Sequence, residues 1–193
     1  MGRTRHKLDE AAFFLEKVRD HYFDVLEDDR QGRPFRFYLS AFVSAARSVA
    51  WVMRSEYCRS QGWESWYKLR QPELEDQTLL SRFAEVRNKS QKVGPLKVGI
   101  RLRLSQTAEG APQDDELSRV RHPKLQQYRV TITLVDPPSG DSRSMEASID
   151  ALECALPELG DDDLLQSCSR YFDLLNRLVE DCESRFSIER SRR

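Results

Sequence analysis

The chain has 193 residues, of which 39% are hydrophobic and 33% charged, and its 31 basic and 32 acidic side chains leave a net charge of −1. That balance supports a real core and excludes a chain-wide disordered state. It also excludes a global basic field for nucleic acid, although a zero sum can conceal segregated charge.

No apolar run approaches the ~20 residues needed to span a bilayer. The opening MGRTRHKLDE has no apolar stretch of the kind a secretory signal requires. Both observations predict a soluble, cytoplasmic protein without a membrane partner. The four cysteines, Cys58, Cys154, Cys168 and Cys182, show no CxxC spacing and read as reduced thiols.

Residues 1–7 read as a basic, mobile tail. A first helix is expected from Leu8 to about Asp28, with Leu8, Ala11, Leu15, Val18, Tyr22 and Val25 on one face. The Gln31-Gly32-Arg33-Pro34 turn stops it, and Pro34 opens a long central helix to Cys58. In that helix Phe35, Leu39, Phe42, Ala46, Val49 and Met53 recur at alternating intervals of four and three, one buried face. Ser40, Ala41, Ser44, Ala45 and Ser48 form a second stripe of small residues, open to close approach by another backbone.

Gln61-Gly62 breaks the central helix, and the aromatic segment Trp63–Leu69 follows. Those aromatics read first as packing residues and second as base-stacking ones. Pro72 opens a further helix to about Ser90, with Leu79, Leu80, Phe83 and Val86 inward. Three helices joined by short turns must pack side by side.

The period then changes. Leu96, Val98, Ile100, Leu102 and Leu104 alternate with Lys97, Gly99, Arg101 and Arg103, predicting a half-buried strand with a basic outer face. Residues 105–126 read as an exposed loop. Tyr128–Val135 and Arg143–Ile149 alternate again around the turn DPPSGD, predicting an antiparallel hairpin. By alternation Lys97, Arg101, Arg103, Arg129 and Arg143 are expected on one sheet face. Asp161 is expected to cap a last helix with Asp162 and Asp163 in its first turn, a reading that explains the acidic triplet without a metal ion. The wide apolar stripe from Leu164 to Phe186 must cover the bundle, the sheet or another subunit. The expected fold is therefore α+β and mainly α: a helical bundle at 8–93, then a three-stranded antiparallel sheet plus a C-terminal helix at 94–188, sharing one core. No cofactor or metal site is expected.

The order of features in residues 8–95 resembles the HEPN superfamily. The resemblance rests on the amphipathic helix pair with its aromatic start (Phe35, Phe37, Tyr38) and SAFVSAARS centre, on the WESWY segment, and on FAEVRNKSQK from Phe83 to Lys92. It implies a helical bundle, usually dimeric, in a family rich in ribonucleases of bacterial defence and toxin–antitoxin systems. Arg87-Asn88 matches the opening of the family's active motif. The histidine that should follow is absent; Lys92, Val93 and Gly94 stand at its allowed positions. Imidazole exchanges protons near neutrality because its unperturbed pKa is about 6.5, whereas lysine's is about 10.4. The expectation is a non-catalytic, dimeric HEPN-like protein that binds RNA, a nucleotide or a protein partner. Its nucleic-acid candidates are Arg87, Asn88, Lys89, Lys92, Lys97, Arg101 and Arg103. Two alternatives stay open: a metal-independent ribonuclease using Arg87 and Asn88, and a scaffold docking through its C-terminal helix.

Overall fold

The structure, a computed structural model, describes residues 2–26, 32–70, 74–106, 124–125, 128–135, 140 and 142–190. Helix α1 spans Arg3–Asp20 and is followed by a 3-10 turn at Tyr22–Leu26. Helices α2 (Arg33–Tyr57), α3 (Trp63–Leu69) and α4 (Leu74–Lys92) come next. Strands β1 (Gly99–Gln106), β2 (Arg129–Val135) and β3 (Ser142–Ala155) precede the last helix, α5 (Leu164–Arg190). The fold is α+β and mainly α. It divides into two compact units, residues 1–99 with 155–193, and residues 100–154. The C-terminal helix falls in the first unit with the bundle.

The first unit is built on α2. Phe35, Leu39, Phe42, Ala46, Val49 and Met53 are all fully buried, as the alternating intervals require. Helix α1 lies along it through Leu8, Ala11, Leu15 and Val18. Residues 2–7, expected as part of a mobile tail, instead form the start of α1 and the residue before it. The Glu56 carboxylate at the far end of α2 accepts the Arg3 N–H (3.2 Å), the Thr4 N–H (2.7 Å) and the Thr4 hydroxyl (2.7 Å). A helix N-terminus carries unsatisfied donors and partial positive charge, and here a distant acid satisfies both. Helix α1 then ends eight residues before the expected Asp28, and the 3-10 turn keeps Tyr22 and Val25 in the core.

Helix α5 closes the bundle. Leu164, Cys168, Tyr171, Leu175, Val179, Cys182 and Phe186 are buried, and the helix packs on α1, α2 and α4. Tyr171 stacks on Phe83 of α4 (centroids 4.4 Å apart) and meets Phe42 edge-on. The WESWY aromatics are core. Trp63 stacks between Tyr57 and Tyr67, and Phe186 meets Trp63 and Trp66.

The cap of α5 differs from expectation by two residues. Asp163 Oδ1 accepts the Gln166 N–H (2.9 Å), so Asp163 is the capping residue and Asp161-Asp162 lie in the preceding turn.

In the second unit the strand order is β1-β3-β2, with β2 and β3 antiparallel from Arg129↔Ser148 to Val135↔Ser142. The expected hairpin is present, though its turn lies outside the described residues apart from Gly140. β1 is not half-buried: Ile100 is 43% and Leu102 37% exposed. Nor do the arginines share one face. Arg129 stands opposite Ser148 and Arg143 opposite Leu134, so the pleat sends Arg129 and Arg143 to opposite sides. The expected loop at 105–126 falls mostly outside the described residues; Ser105 belongs to β1 and bonds to Asp150 (3.0 Å).

Candidate functional site

Helix α4 ends where its backbone turns sharply. The Lys89 carbonyl accepts the N–H of both Val93 (2.9 Å) and Gly94 (3.3 Å). Gly94 adopts φ +140°, a conformation that side-chain-bearing residues rarely reach. The chain then doubles back through Pro95 and Leu96 toward the Pro157-Glu158 turn, leaving a concavity of about 550 Å³. Three cations line it: Arg36 from the first turns of α2, Lys89 from α4, and Lys97 from the segment before β1. Val93, Leu96 and Pro157 supply apolar wall, and Glu158 is the one acid among the described lining residues.

The three cations are not equivalent. Lys89 Nζ sits 2.9 Å from Glu158 and 3.4 Å from Glu85, and the hydrogen bond to Glu158, then that to Glu85, raises its pKa. Its charge is therefore already shared. Lys97 is exposed and makes no ion pair among the described residues. The attraction for an added anion therefore falls mainly on Lys97.

The other sequence candidates lie elsewhere. Arg87 Nη1 donates to Asn88 Oδ1 (3.3 Å), and neither residue lines the concavity. Arg87 does share an α4 face with Gln91, one turn on, and Gln91 Nε2 donates to Ser44 Oγ (3.3 Å). This places the Arg87 turn beside the small-residue stripe of α2. Lys92 is exposed at the last residue of α4. Arg101 and Arg103 are exposed on β1, in the other unit. Of the seven candidates, the concavity brings together Lys89 and Lys97.

Arg36 was not legible as a site residue. Its signal was present only as a basic residue off the apolar face of α2, and its role depends on a turn more than a hundred residues away.

The histidines form no catalytic set. His21 stacks on Tyr38 and its Nδ1 lies 2.6 Å from Asp24 Oδ2, while His6 is exposed on α1. His122 lies outside the described residues. Among the described residues no cluster of three or more His, Cys, Asp or Glu could hold a metal ion. The acidic triplet before α5 is spent on structure. Asp163 caps the helix and accepts the Tyr22 hydroxyl (3.2 Å), and Asp162 pairs with Arg82 (3.4 Å). No helix of the described residues is long and apolar enough to cross a membrane.

Comparison with curated proteins gives no match, and comparison with solved structures gives none either. One family does match: residues 3–109, more than half of the chain, fit the family described as bacteriophage lambda protein ea47, and the chain belongs to that family.

Proposed function

We propose that this protein is a non-catalytic, HEPN-like binding protein, cytoplasmic and homodimeric, that holds the phosphates of RNA or a nucleotide at the end of α4. The observation that carries this reading is the concavity lined by Arg36, Lys89 and Lys97 against a single acid. Guanidinium and ammonium groups beside an apolar wall suit a ligand with both phosphate and a flat base. The absence of a proton-transfer histidine after Arg87-Asn88 favours binding without turnover. The test is equilibrium binding of a fluorescein-labelled single-stranded RNA to wild type and to Lys97→Glu. At least a tenfold loss of affinity is expected, and equal affinity overturns the reading.

A second reading, a metal-independent ribonuclease, rests on the Arg87–Asn88 hydrogen bond, which keeps both polar groups of the motif side by side. It requires RNA cleavage by the purified protein that disappears in Arg87→Ala. Equal rates in the two proteins remove it.

A further inference from the structure

Helix α2 has a second face, turned away from its buried one. The helix carries four arginines and one acid, Glu56; Arg36 lines the α4 concavity and Arg47 lies near Tyr171, while Arg33 and Arg54 are exposed. Glu56 is occupied by the N-terminus of α1. The helix is thus strongly cationic in a chain of net charge −1.

Two large aromatics stand on the same face: Phe37 is 67% and Trp51 70% exposed. They are fourteen residues apart, close to a whole number of helical turns, which puts them ~21 Å from one another on one side of the helix. Between them along the helix stand the half-buried Ser40, Ser44 and Ser48, with Gln91 of α4 reaching the Ser44 hydroxyl (3.3 Å).

The Trp51 end is built further by α1. Arg3, His6 and Lys7 join Trp51 and Val52 around an open concavity of about 750 Å³, with no acid among its lining residues. Lys7 is paired with Glu10 (2.5 Å), but the Arg3 guanidinium and the His6 ring have no partner among the described residues.

We infer that this face is a track for single-stranded nucleic acid. Trp51 and Phe37 each stack on an unpaired base, and Arg33, Arg54 and Arg3 meet the phosphates. The inference rests on the nucleic-acid reading of the α4 concavity and extends it to a second, separate surface. Three features choose this occupant. The face is cationic and nearly free of acid, which complements a polyanion and opposes a second copy of itself. Exposed aromatics spaced along one helix by uncharged polar side chains suit bases that stack one at a time. A duplex hides its base faces, so a stacking surface selects single strands.

The test uses the full-length protein and a fluorescein-labelled poly(U) oligomer long enough to span both aromatics. Phe37 and Trp51 are exposed, so Phe37→Ala and Trp51→Ala keep the core intact. Each is expected to weaken binding about tenfold, the loss of one stacked base. Poly(U) should quench part of the tryptophan emission of wild type and none of it in Trp51→Ala, since Trp63 and Trp66 are buried. A duplex of equal length should compete poorly. Unchanged affinity in both variants overturns the inference, as does a duplex that competes as well as the single strand. A fall in light-scattering mass on Trp51→Ala also overturns it, because the face would then be covered by a second copy. Lys97→Glu separates the two surfaces. If it weakens binding while the aromatic variants do not, the α4 concavity stands and the track fails; the opposite pattern leaves the track and removes the concavity.

Discussion

Four free thiols report directly on single positions. Cys58 is exposed at the end of α2, whereas Cys154, Cys168 and Cys182 are fully buried. A thiol reagent should modify Cys58 quickly in the native protein and the other three only after denaturation, which a timed mass measurement reads directly. Burial also fixes how these groups respond to alkali. It raises the Cys168 thiol well above its ordinary value of 9.0 and pushes Cys182 up to about 12; neighbouring carboxylates (Asp163 at Cys168, Glu183 first at Cys182) add to the effect. Burial pushes the Tyr171 phenol up to about 12 as well, opposed by Arg47. A raised pKa means that the folded state keeps a proton the unfolded chain releases. Stability is therefore full below pH about 9 and declines between about 9 and 12. Urea midpoints measured across that range should fall, and the slope should lessen in Cys168→Ala. A flat profile in wild type would contradict the buried, neutral thiols. Arg87 illustrates a different limit at this scale. Its guanidinium donates to Asn88, but the proposed ribonuclease reading also needs a base that Lys92, Val93 and Gly94 do not supply.

At the scale of elements, the aromatic turn α3 holds the bundle's end together. Trp63 is 1% exposed and touches Tyr57, Trp66, Tyr67 and Phe186. Trp63→Ala should cost about 3–5 kcal/mol in chemical denaturation, the range for truncating a large buried aromatic. The α5 cap gives a finer test: Asp163→Ala should lose about 1 kcal/mol, and Asp163→Asn, which keeps a capping oxygen, much less. Equal losses in the two variants would contradict the cap. The two-residue difference between the expected cap and Asp163 shows what local sequence conveys. The triplet announced a helix start, but only the hydrogen bond to Gln166 selects which aspartate serves. The apolar faces of α2, α4 and α5 were legible because periodicity is a local property. The start of α1 was not, because its donors are satisfied by Glu56, more than fifty residues along the chain. β1 shows the same division. Alternation correctly separates Ile100 and Leu102 from Arg101 and Arg103, but it does not say whether anything covers the apolar side, and both residues remain substantially exposed. The candidate site was legible in part for this reason: Lys89 and Lys97 stand close in sequence, while Arg36 and Glu158 reach them only through the fold.

Across the whole molecule, the near-zero net charge hides an uneven distribution. Several acids are used for internal work: Glu56 caps α1, Asp163 caps α5, Glu75 and Asp76 hold Arg170, and Glu183 holds Arg5. Several basic groups of the bundle, Lys97, Arg3, Arg33 and Arg54 among them, have no such partner among the described residues. Segregation of this kind lets a neutral protein present a local field to a polyanion. In the proposed reading the first unit binds RNA phosphates without cleaving the strand. The most direct measurement follows the affinity of the purified protein for a labelled single-stranded RNA across a salt series, with the RNA recovered and sized afterwards. Log affinity should fall linearly with log salt, with a shallower slope in Lys97→Glu, and the RNA should keep its length. Salt-independent binding, no saturable binding at low salt, or shortened RNA that survives intact with Arg87→Ala would contradict it.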